Sequence, residues 1–460
     1  MNGYSDTISA VCTPIMKSAI GVIRVSGDNA FDICGKIFSK NLSEISERSA
    51  VHGEILDGGK PLDDVVLTLY RAPRSFTGEN TVEISCHGST YIMNRIQKLL
   101  IDCGARQAEG GEFTKRAFLH GKIDLAQAEA VVDLIESESA EEAKNAAGQL
   151  GGRLSRKINE INGSLIDVSA QILAFIDYPD DEIADVSPET LQKSIFSAHE
   201  QLKLLKNSFG AGQIMREGIR TAIVGKPNVG KSCLMNRILG CDRSIVTDIA
   251  GTTRDVIEEK AVFGGKKLVV SDTAGIHETA DVVEKIGVSR SIEKIEDAAL
   301  ILCVFDVAGI DWEDLEIVKK VAENTSAKKI AIFNKSDLDP SFTPEAAFGN
   351  IGEIFDKIAV ISLKNDAGIE VLENAVAALF ETDMPDGASL GGEILTNIRH
   401  YECICRAEKE LENALLNINT TPDALISDIE GAIESLGAMT GKSVSEQIIN
   451  NIFSRFCVGK

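Results

Sequence analysis

The 460-residue sequence predicts an N-terminal α+β domain, followed by a helical domain that is interrupted by a doubly wound α/β domain with a phosphate-binding loop. Short β-like runs fill the first 120 residues, and apolar residues at three- and four-residue steps follow Asp124, a plausible helix N-cap. From about Arg220 to Phe380, strands alternate with helices. That alternation is typical of a mostly parallel sheet with helices on both faces.

The domain boundaries follow from these changes of pattern. We predict an N-terminal domain over residues 1–120, a first helical part over 121–216, an α/β domain over 217–380 and a second helical part over 381–460. The runs "AIGVIRVSG", "DDVVLTLYRAP" and "NTVEISCHG" mark strands of the first domain, and "DMPDGASLGG" is typical of a linker. The two helical parts can pack together, since the α/β domain has its own core.

Composition restricts the function classes. The net charge of −23 argues against a broad nucleic-acid-binding surface, so any contact with RNA should be local or shared with a partner. The ten cysteines are scattered without a CxxC pair, which favours reduced thiols over disulfides or zinc. The apolar run "AALILCVF" is far too short to span a bilayer, and the sequence predicts a soluble cytoplasmic protein.

The stretch "GKPNVGKS" lies between the strand "RTAIVG" and the helix "CLMNRILG" and matches the phosphate-binding loop pattern. Gly225 and Gly230 allow backbone N–H groups to close around phosphate oxygens, and the helix N-terminus adds positive partial charge. We expect Lys231 to reach the β and γ phosphates and Ser232 to ligate Mg²⁺.

Two further stretches supply the switch elements of a nucleotide hydrolase. "GTTRD" offers Thr252 and Thr253, one of them a second Mg²⁺ ligand. "DTAG" follows the strand "KLVVS", so Asp272 can hold Mg²⁺ through water and Gly275 can contact the γ phosphate.

The stretch "NKSD" follows the strand "KIAIF" and predicts guanine selectivity. The Asp337 carboxylate can accept hydrogen bonds from the guanine N1–H and exocyclic amine, which adenine does not offer. Asn334 braces the loop, the stem of Lys335 covers the base, and "SLK" (362–364) lies where a backbone N–H meets the guanine oxygen. Together these motifs predict a Ras-like G domain that binds GTP.

The catalytic groups are unusual for such a domain. Ile276 follows "DTAG", where small regulatory GTPases often carry a water-orienting Gln. Asn228 and the loop "TDIAGTT" could hold a potassium ion beside the phosphates, which would supply positive charge to the transition state. Glu284 could act on the water as a general base, directly or through a bridging water, but from the residues alone a bare carboxylate in "DVVEKIG" is more typical of a solvated helix residue.

This combination of motifs resembles the TrmE/Era/EngA group of GTPases. Outside the G domain, "SFTGENTVEISCHG", "GEFTKRAFLHGKIDLAQAEAVVDLI" and the terminal "FCVGK" resemble the MnmE (TrmE) family of tRNA-modification GTPases, and the match covers the whole chain. The resemblance implies a homodimer that works with the flavoprotein MnmG, the FAD carrier, on carbon 5 of the tRNA wobble uridine. It also implies that the N-terminal domain binds a reduced folate, 5,10-methylene- or 5-formyl-tetrahydrofolate, as the one-carbon donor.

The resemblance assigns roles by motif. Glu284 falls on the catalytic carboxylate, and Ser232 and Thr253 fall on the Mg²⁺ ligands. The potassium positions are Asn228, Thr247, Ile249 and Thr252. The nucleotide positions are Asn228, Val229, Gly230, Lys231, Ser232, Cys233, Thr247, Asp248, Ile249, Ala250, Gly251, Thr252, Thr253, Asp272, Thr273, Ala274, Gly275, Asn334, Lys335, Asp337, Ser362, Leu363 and Lys364.

In the N-terminal domain, Arg24, Glu79 and Lys122 fall on the family's folate-contacting positions. From the residues alone, Arg24 could be merely exposed at the end of a β-like run, Glu79 could be a turn residue, and Lys122 could lie beside a helix N-terminus.

The tail "FCVGK" does not fit a prenylation box because Gly459 and Lys460 are wrong for it. The family pattern is "FCIGK", so Val458 is a mild departure. The resemblance implies that the tail folds back to the folate site, with Cys457 near the one-carbon chemistry and Lys460 near the folate. Whether Cys457 is a nucleophile depends on whether its neighbours lower its pKa, which the sequence leaves open.

Two other functions remain open at this point. A regulatory RNA-binding GTPase of ribosome assembly would need a basic module after the G domain, and the acidic C-terminal segment does not supply one. A folate-dependent one-carbon transferase could use the G domain only as a regulator.

Overall fold

The computed structural model describes residues 6–42, 45, 49–177, 188–240, 258–271, 297–323, 326–344, 351–381, 392–418, 420–454 and 456–460. The chain forms two compact units. Unit 1 comprises Met1–Val132, Gln149–His199 and Arg406–Lys460, and unit 2 comprises Asp133–Gly148 and Glu200–Cys405. The domain boundaries of the sequence analysis remain predictions, and the linker predicted at 383–392 lies outside the described residues except for Gly392.

The described strands form two six-stranded sheets, one in each unit. In unit 1 they are β1 Ile8–Val11, β2 Ile20–Ser26, β3 Ala50–Asp57, β4 Lys60–Tyr70, β5 Thr81–His87 and β6 Arg106–Gln107. In unit 2 they are β7 Ile219–Val224, β8 Glu258–Phe263, β9 Lys266–Ser271, β10 Leu300–Asp306, β11 Lys328–Asn334 and β12 Lys357–Val360.

In unit 2, described α-helices follow β7, β10 and β12, and further α-helices make up much of the remainder of the described chain. They are α1 Ala30–Gly35, α2 Thr90–Asp102, α3 Glu112–Leu119, α4 Leu125–Glu136, α5 Ala140–Leu150, α6 Arg153–Asp177, α7 Pro188–Asn207, α8 Phe209–Glu217, α9 Lys231–Gly240, α10 Trp312–Glu323, α11 Ile369–Leu379, α12 Ile398–Leu416, α13 Pro422–Thr440 and α14 Glu446–Phe453.

The sheet of unit 1 runs in the order β3-β4-β5-β2-β1-β6 and is antiparallel except for the β1–β6 pair. The three β-like runs of the sequence analysis are confirmed as β2, β4 and β5. Along β2, buried and half-buried side chains alternate, as expected of a strand with one face on a core. Ile23 and Ile84 of this sheet pack in one cluster with Met93 and Ile96 of α2.

The helical pattern after Asp124 is confirmed by α4. The Gln127 N–H donates to Asp124 Oδ1 at 2.8 Å, and the Asp124 N–H donates to Gln127 Oε1 at 3.0 Å. This reciprocal pair is a capping box, which satisfies two N–H groups that a helix start leaves without partners. Asp124 is therefore the N-cap that the sequence predicts.

The sheet of unit 2 runs in the order β12-β11-β10-β7-β9-β8, and every pair except the β8–β9 hairpin is parallel. The predicted parallel sheet is confirmed; β8 is a strand that the sequence analysis did not identify. The central strands are buried on both faces, with Leu302 and Ile332 in one core cluster and Cys303 and Phe333 in the other. The doubly wound fold class is thereby confirmed.

Two expectations from composition can be compared with the described part of the chain. The nine cysteines that the structure describes are free. Among the helices described, none is long and apolar enough to cross a bilayer.

Candidate functional sites

The phosphate loop of unit 2 begins where β7 ends and closes where α9 begins. Gly225 has a φ of 150°, and a Cβ at this position would collide with the Val304 carbonyl of β10. Gly230 has a φ of 110°, and a Cβ there would collide with the Asn334 side chain. Asn228 has a φ of 65°, a left-handed conformation that is uncommon outside glycine. The sequence pattern therefore corresponds to a tight loop whose backbone conformation requires glycine at Gly225 and Gly230.

The ammonium group of Lys231 is held by backbone carbonyl groups of the phosphate loop itself. Lys231 Nζ donates to the carbonyl oxygens of Gly225 at 2.8 Å and Lys226 at 2.7 Å. Burial lowers the pKa of Lys231 from its ordinary value. Ser232 and Cys233 follow in the first turn of α9 and are exposed. The predicted Mg²⁺ ligand Ser232 thus lies at the helix N-terminus, where partial positive charge favours phosphate.

Asn334 joins the three described motifs of the nucleotide site. It is buried at the end of β11, and its Nδ2 donates to the Val229 carbonyl of the phosphate loop at 2.7 Å. Its Oδ1 accepts from the Leu363 N–H of "SLK" at 3.1 Å. The neighbouring Lys335 has a φ of 65°, and its Nζ donates to Asp306 Oδ2 at 2.6 Å. The bracing role expected of Asn334 has this geometric basis.

The carboxyl group of Asp337 is favoured in its ionised form, in which both oxygens accept hydrogen bonds. The Ser362 hydroxyl donates to Asp337 Oδ1 at 2.6 Å, and this hydrogen bond lowers the pKa of the carboxyl. Ser362 itself is buried, whereas Lys364 at the end of the same stretch is exposed. A carboxylate held in one orientation by a buried hydroxyl can offer both oxygens to the two N–H groups of a guanine edge.

A further group of predicted nucleotide and catalytic residues lies outside the described residues: Thr247, Asp248, Ile249, Ala250, Gly251, Thr252, Thr253, Asp272, Thr273, Ala274, Gly275, Ile276 and Glu284.

The C-terminal tail of unit 1 lies against the N-terminus of α3. Gly110 pairs with Val458 as an isolated antiparallel bridge, and the Gly111 N–H donates to the Cys457 carbonyl at 3.2 Å. Gly459 has a φ of 96°, and a Cβ there would stand 2.6 Å from the Val11 carbonyl. The tail is thus a bound segment in this structure, and the Cys457 side chain is exposed.

The predicted folate residue Arg24 lies close to this tail. Its guanidinium is paired with Glu83 at 2.8 Å and lies over the rings of Phe76 and Phe113, at 5.4 and 5.5 Å from their centroids. The Phe113 N–H in turn donates to the Lys460 carbonyl at 3.2 Å. The alternative that Arg24 is merely exposed is wrong, because only 17% of its side chain is accessible.

Glu79 lies on the turn between β4 and β5 that also carries Phe76, and Lys122, which follows α3, contacts the same turn. The Glu79 carboxylate is buried, paired with Arg116 at 3.1 Å, and accepts from the Ser26 hydroxyl at 2.7 Å. Lys122 is exposed and donates to the Pro73 carbonyl at 3.0 Å. Glu79 is therefore part of a buried ionic network, and its contact with folate stays a prediction.

The sequence analysis missed two residues of this region. Cys12 Sγ donates to the Gly459 carbonyl at 3.1 Å, and burial raises the pKa of the Cys12 thiol. Arg116 is fully buried among the carboxylates of Asp6, Glu79 and Glu112. A buried arginine in "GEFTKRAF" shows no periodic signal, and two of its acidic partners, Asp6 and Glu79, are distant in sequence, so only the folded chain reveals its place.

A phosphate loop at the end of one parallel strand, with a base motif at the end of another, defines a P-loop protein of the G-domain class. Two family models match the chain: the GTP-binding protein TrmE N-terminus over residues 7–122 and the MnmE helical domain over residues 125–457. The chain belongs to the MnmE (TrmE) family.

Curated relatives match over nearly the full length. The chain is 43% identical over 465 residues to the tRNA modification GTPase MnmE of Acetivibrio thermocellus and 40% identical over 462 residues to that of Caldicellulosiruptor saccharolyticus, covering 99% of each chain in both pairs. Among solved structures, the FeoB G domain of Methanococcus jannaschii aligns with 36% of this chain and 98% of its own, at 25% identity and a TM-score of 0.26.

Proposed function

We propose that the protein is a GTPase that modifies carbon 5 of the wobble uridine of tRNA. It uses a reduced folate as one-carbon donor, and it works as a homodimer with a flavoprotein partner that carries FAD. Family membership supports the GTPase and its tRNA substrate, since the curated relatives are tRNA modification GTPases along their whole length. The geometry of the two sites supports the division of labour between nucleotide and one-carbon chemistry.

One observation carries the nucleotide half of this proposal. Asp337 is held by Ser362 beside a loop that Asn334 ties to the phosphate loop. Phosphates and base are therefore recognised by parts of one hydrogen-bonded unit. When the nucleotide binds, Lys231 exchanges its two carbonyl partners for phosphate oxygens. A hydrogen bond from an ammonium group to an anionic phosphate oxygen is stronger than one to a neutral carbonyl oxygen.

The described donors fit the ions that the family implies. Ser232 lies in the first turn of α9 beside the phosphate loop and offers a hydroxyl oxygen, the ligand type that Mg²⁺ prefers. Asn228 is exposed on the same loop and offers an amide oxygen for potassium. Mg²⁺ and K⁺ would neutralise charge that develops on the phosphates. The other ligands of both ions are proposed from the sequence alone.

The folate half rests on cations and aromatic rings at one place. Arg24, Phe76, Phe113 and the backbone of Lys460 are linked by direct contacts. Guanidinium and ammonium groups suit the carboxylates of a folate, and aromatic faces suit its ring. The seated tail brings Cys457 to this region with an exposed side chain.

The decisive experiment is a measurement of modified wobble uridine in total tRNA from a deletion strain. We expect the modification to disappear and to return with the wild-type gene, but not with Lys231→Ala. An unchanged level in the deletion strain would contradict the proposal. Full restoration by Lys231→Ala would favour a one-carbon transferase in which the G domain serves only as a regulator. A ribosome-assembly defect with normal wobble uridine would favour a regulatory GTPase of ribosome assembly.

A further inference from the structure

The N-terminus of α10 carries a capping box built from two aspartates. The Glu313 N–H donates to Asp311 Oδ1 at 2.9 Å, and the Asp311 N–H donates to Asp314 Oδ2 at 3.0 Å. Carboxylates are favoured at this end of a helix because they satisfy N–H groups and complement the helix dipole. Asp314 is fully buried, which is unusual for a charged side chain unless it is paired.

The partner of this capping box is Lys226, in the phosphate loop. Lys226 Nζ lies 2.8 Å from Asp311 Oδ2, 2.8 Å from Asp314 Oδ2 and 2.8 Å from the Gly309 carbonyl. An ammonium group has three N–H donors, so these three acceptors use all of them. The pairing raises the pKa of Lys226 and lowers that of Asp311, and the side chain of Lys226 is only 12% accessible.

The backbone of the same residue holds the phosphate-binding cation. The Lys226 carbonyl accepts from Lys231 Nζ at 2.7 Å. The side chain of Lys226 is therefore fixed by α10, while its main chain fixes the position from which Lys231 reaches a phosphate. The segment before α10 also holds Lys335 of "NKSD" through Asp306, so one stretch of chain contacts both the phosphate and the base motifs.

We propose that Lys226 is a positioning residue for nucleotide binding, and that the capping box of α10 acts through it on the phosphate loop and Lys231. The inference rests on the proposed function only in taking a guanine nucleotide as the ligand. A purely structural Lys226 would stabilise α10 and leave nucleotide affinity unchanged once the protein is folded.

The test compares Lys226→Met with Lys226→Arg and with Lys320→Met, an exposed lysine in the last turn of α10. We expect Lys226→Met to raise the KM for GTP and the Kd for GDP by about 2- to 30-fold, with kcat changed by less than about twofold, because uniform binding is lost. Lys226→Arg, which keeps a cation for two carboxylates, should recover most of the affinity, and Lys320→Met should behave as the wild type.

Asp311→Asn tests the same link from the helix. Asparagine is an equally good N-cap, so α10 keeps its start while Lys226 loses a charged partner. We expect a smaller rise in the Kd for GDP and no added effect when Lys226→Met is also present, since both changes break one contact. This variant also decides the matter if Lys226→Met does not fold.

The single tryptophan of the chain supplies an independent readout. Trp312 is 65% accessible and lies between the two capping aspartates. We expect GDP binding to change its fluorescence in the wild type and in Lys320→Met, and to have little effect in Lys226→Met. Unchanged KM and Kd with a normal Trp312 response in folded Lys226→Met would overturn the proposal, as would a fall in kcat alone. A wild-type chain that binds GDP without hydrolysing GTP would contradict the proposed function. The Kd for GDP of the Lys226 variants would still decide the role of Lys226.

Discussion

The nucleotide site of unit 2 and the tail region of unit 1 are assembled in different ways. In unit 2, the phosphate loop and the base motif "NKSD" each occur at the end of a buried strand of one sheet: β7 ends at Val224 before the phosphate loop, and β11 ends at Asn334. In unit 1, Cys12 and Gly459 touch although 447 positions separate them in sequence. Parallel strands of one sheet bring motifs together at their carboxyl ends, whereas the tail region depends on a contact that closes almost the whole chain.

This difference predicts that the two regions can be damaged separately. A change in the tail should remove the one-carbon chemistry and leave the nucleotide chemistry intact, and a change in the G domain motifs should alter GTP hydrolysis first. The following experiments test that separation in order of expected effect.

Cys457→Ser should reduce wobble-uridine modification to the background of the deletion strain, with GTP hydrolysis near normal. Serine is close in size to cysteine, so the contact of the tail with Gly111 should survive, whereas the nucleophilic sulfur is replaced by a hydroxyl, which is a much weaker nucleophile. Modified uridine is measured in tRNA and hydrolysis with purified protein. Gly459→Ala is the matched control for displacement of the tail, since its Cβ would press on the Val11 carbonyl. Normal modification in Cys457→Ser would make the tail a structural end only.

Glu284→Ala should slow GTP hydrolysis by about 10²–10⁴-fold, the usual contribution of one general acid–base group, with little change in nucleotide affinity. Glu316→Ala, an exposed carboxylate of α10, is the control. Single-turnover hydrolysis and GDP binding separate the two effects. An unchanged rate would return Glu284 to the role of a solvated helix residue.

Exchange of K⁺ for Na⁺ should slow hydrolysis by about 10²–10³-fold, the cost of losing one preorganised positive group at the phosphates. Nucleotide binding should change little, because Lys231 and the loop backbone remain. Steady-state rates at equal ionic strength in the two salts provide the measurement. Equal rates would exclude potassium as the source of positive charge.

Asp337→Asn should reduce the preference for GTP over xanthosine triphosphate by about 10- to 100-fold, the cost of one unsatisfied polar contact in a recognition site. An amide offers one acceptor where the carboxylate offers two, and Ser362 loses its charged partner. Competition binding with the two nucleotides measures the ratio, and Asp339→Asn, a half-buried aspartate two residues further along the same loop, is the control. A ratio equal to that of the wild type would contradict the base-recognition role.

Lys460→Met should weaken the binding of a reduced folate by about two- to fivefold, the range of a partly exposed ion pair. The backbone carbonyl that accepts from Phe113 is retained, so the tail stays seated. Calorimetry with 5-formyl-tetrahydrofolate measures the change, and Lys98→Met in α2 is the control. An equal affinity in both variants would place the ammonium group of Lys460 away from the folate.

The sequence by itself determined the doubly wound sheet, the N-cap at Asp124 and the positions of the phosphate and base motifs. These features are local: strand and helix periodicity, glycine in strained turns, and polar residues directly after buried strands all appear within a few residues. The parallel pairing of β7, β10 and β11 followed from strand–helix alternation, whereas their order in the sheet came from the tertiary structure.

Only the tertiary structure decided the partners of the charged residues. The resemblance assigned Glu79 to a folate-contacting position, yet its carboxylate is buried and paired with Arg116. Lys226 forms ion pairs with Asp311 and Asp314 at the start of α10, about 85 positions away in sequence. The resemblance implied that the tail folds back to the folate site, whereas the hydrogen bond from Cys12 to the Gly459 carbonyl was not implied. Ion pairs and carbonyl contacts of this kind carry no periodic signal, because their free energy depends on distance and burial in the folded chain rather than on spacing along it.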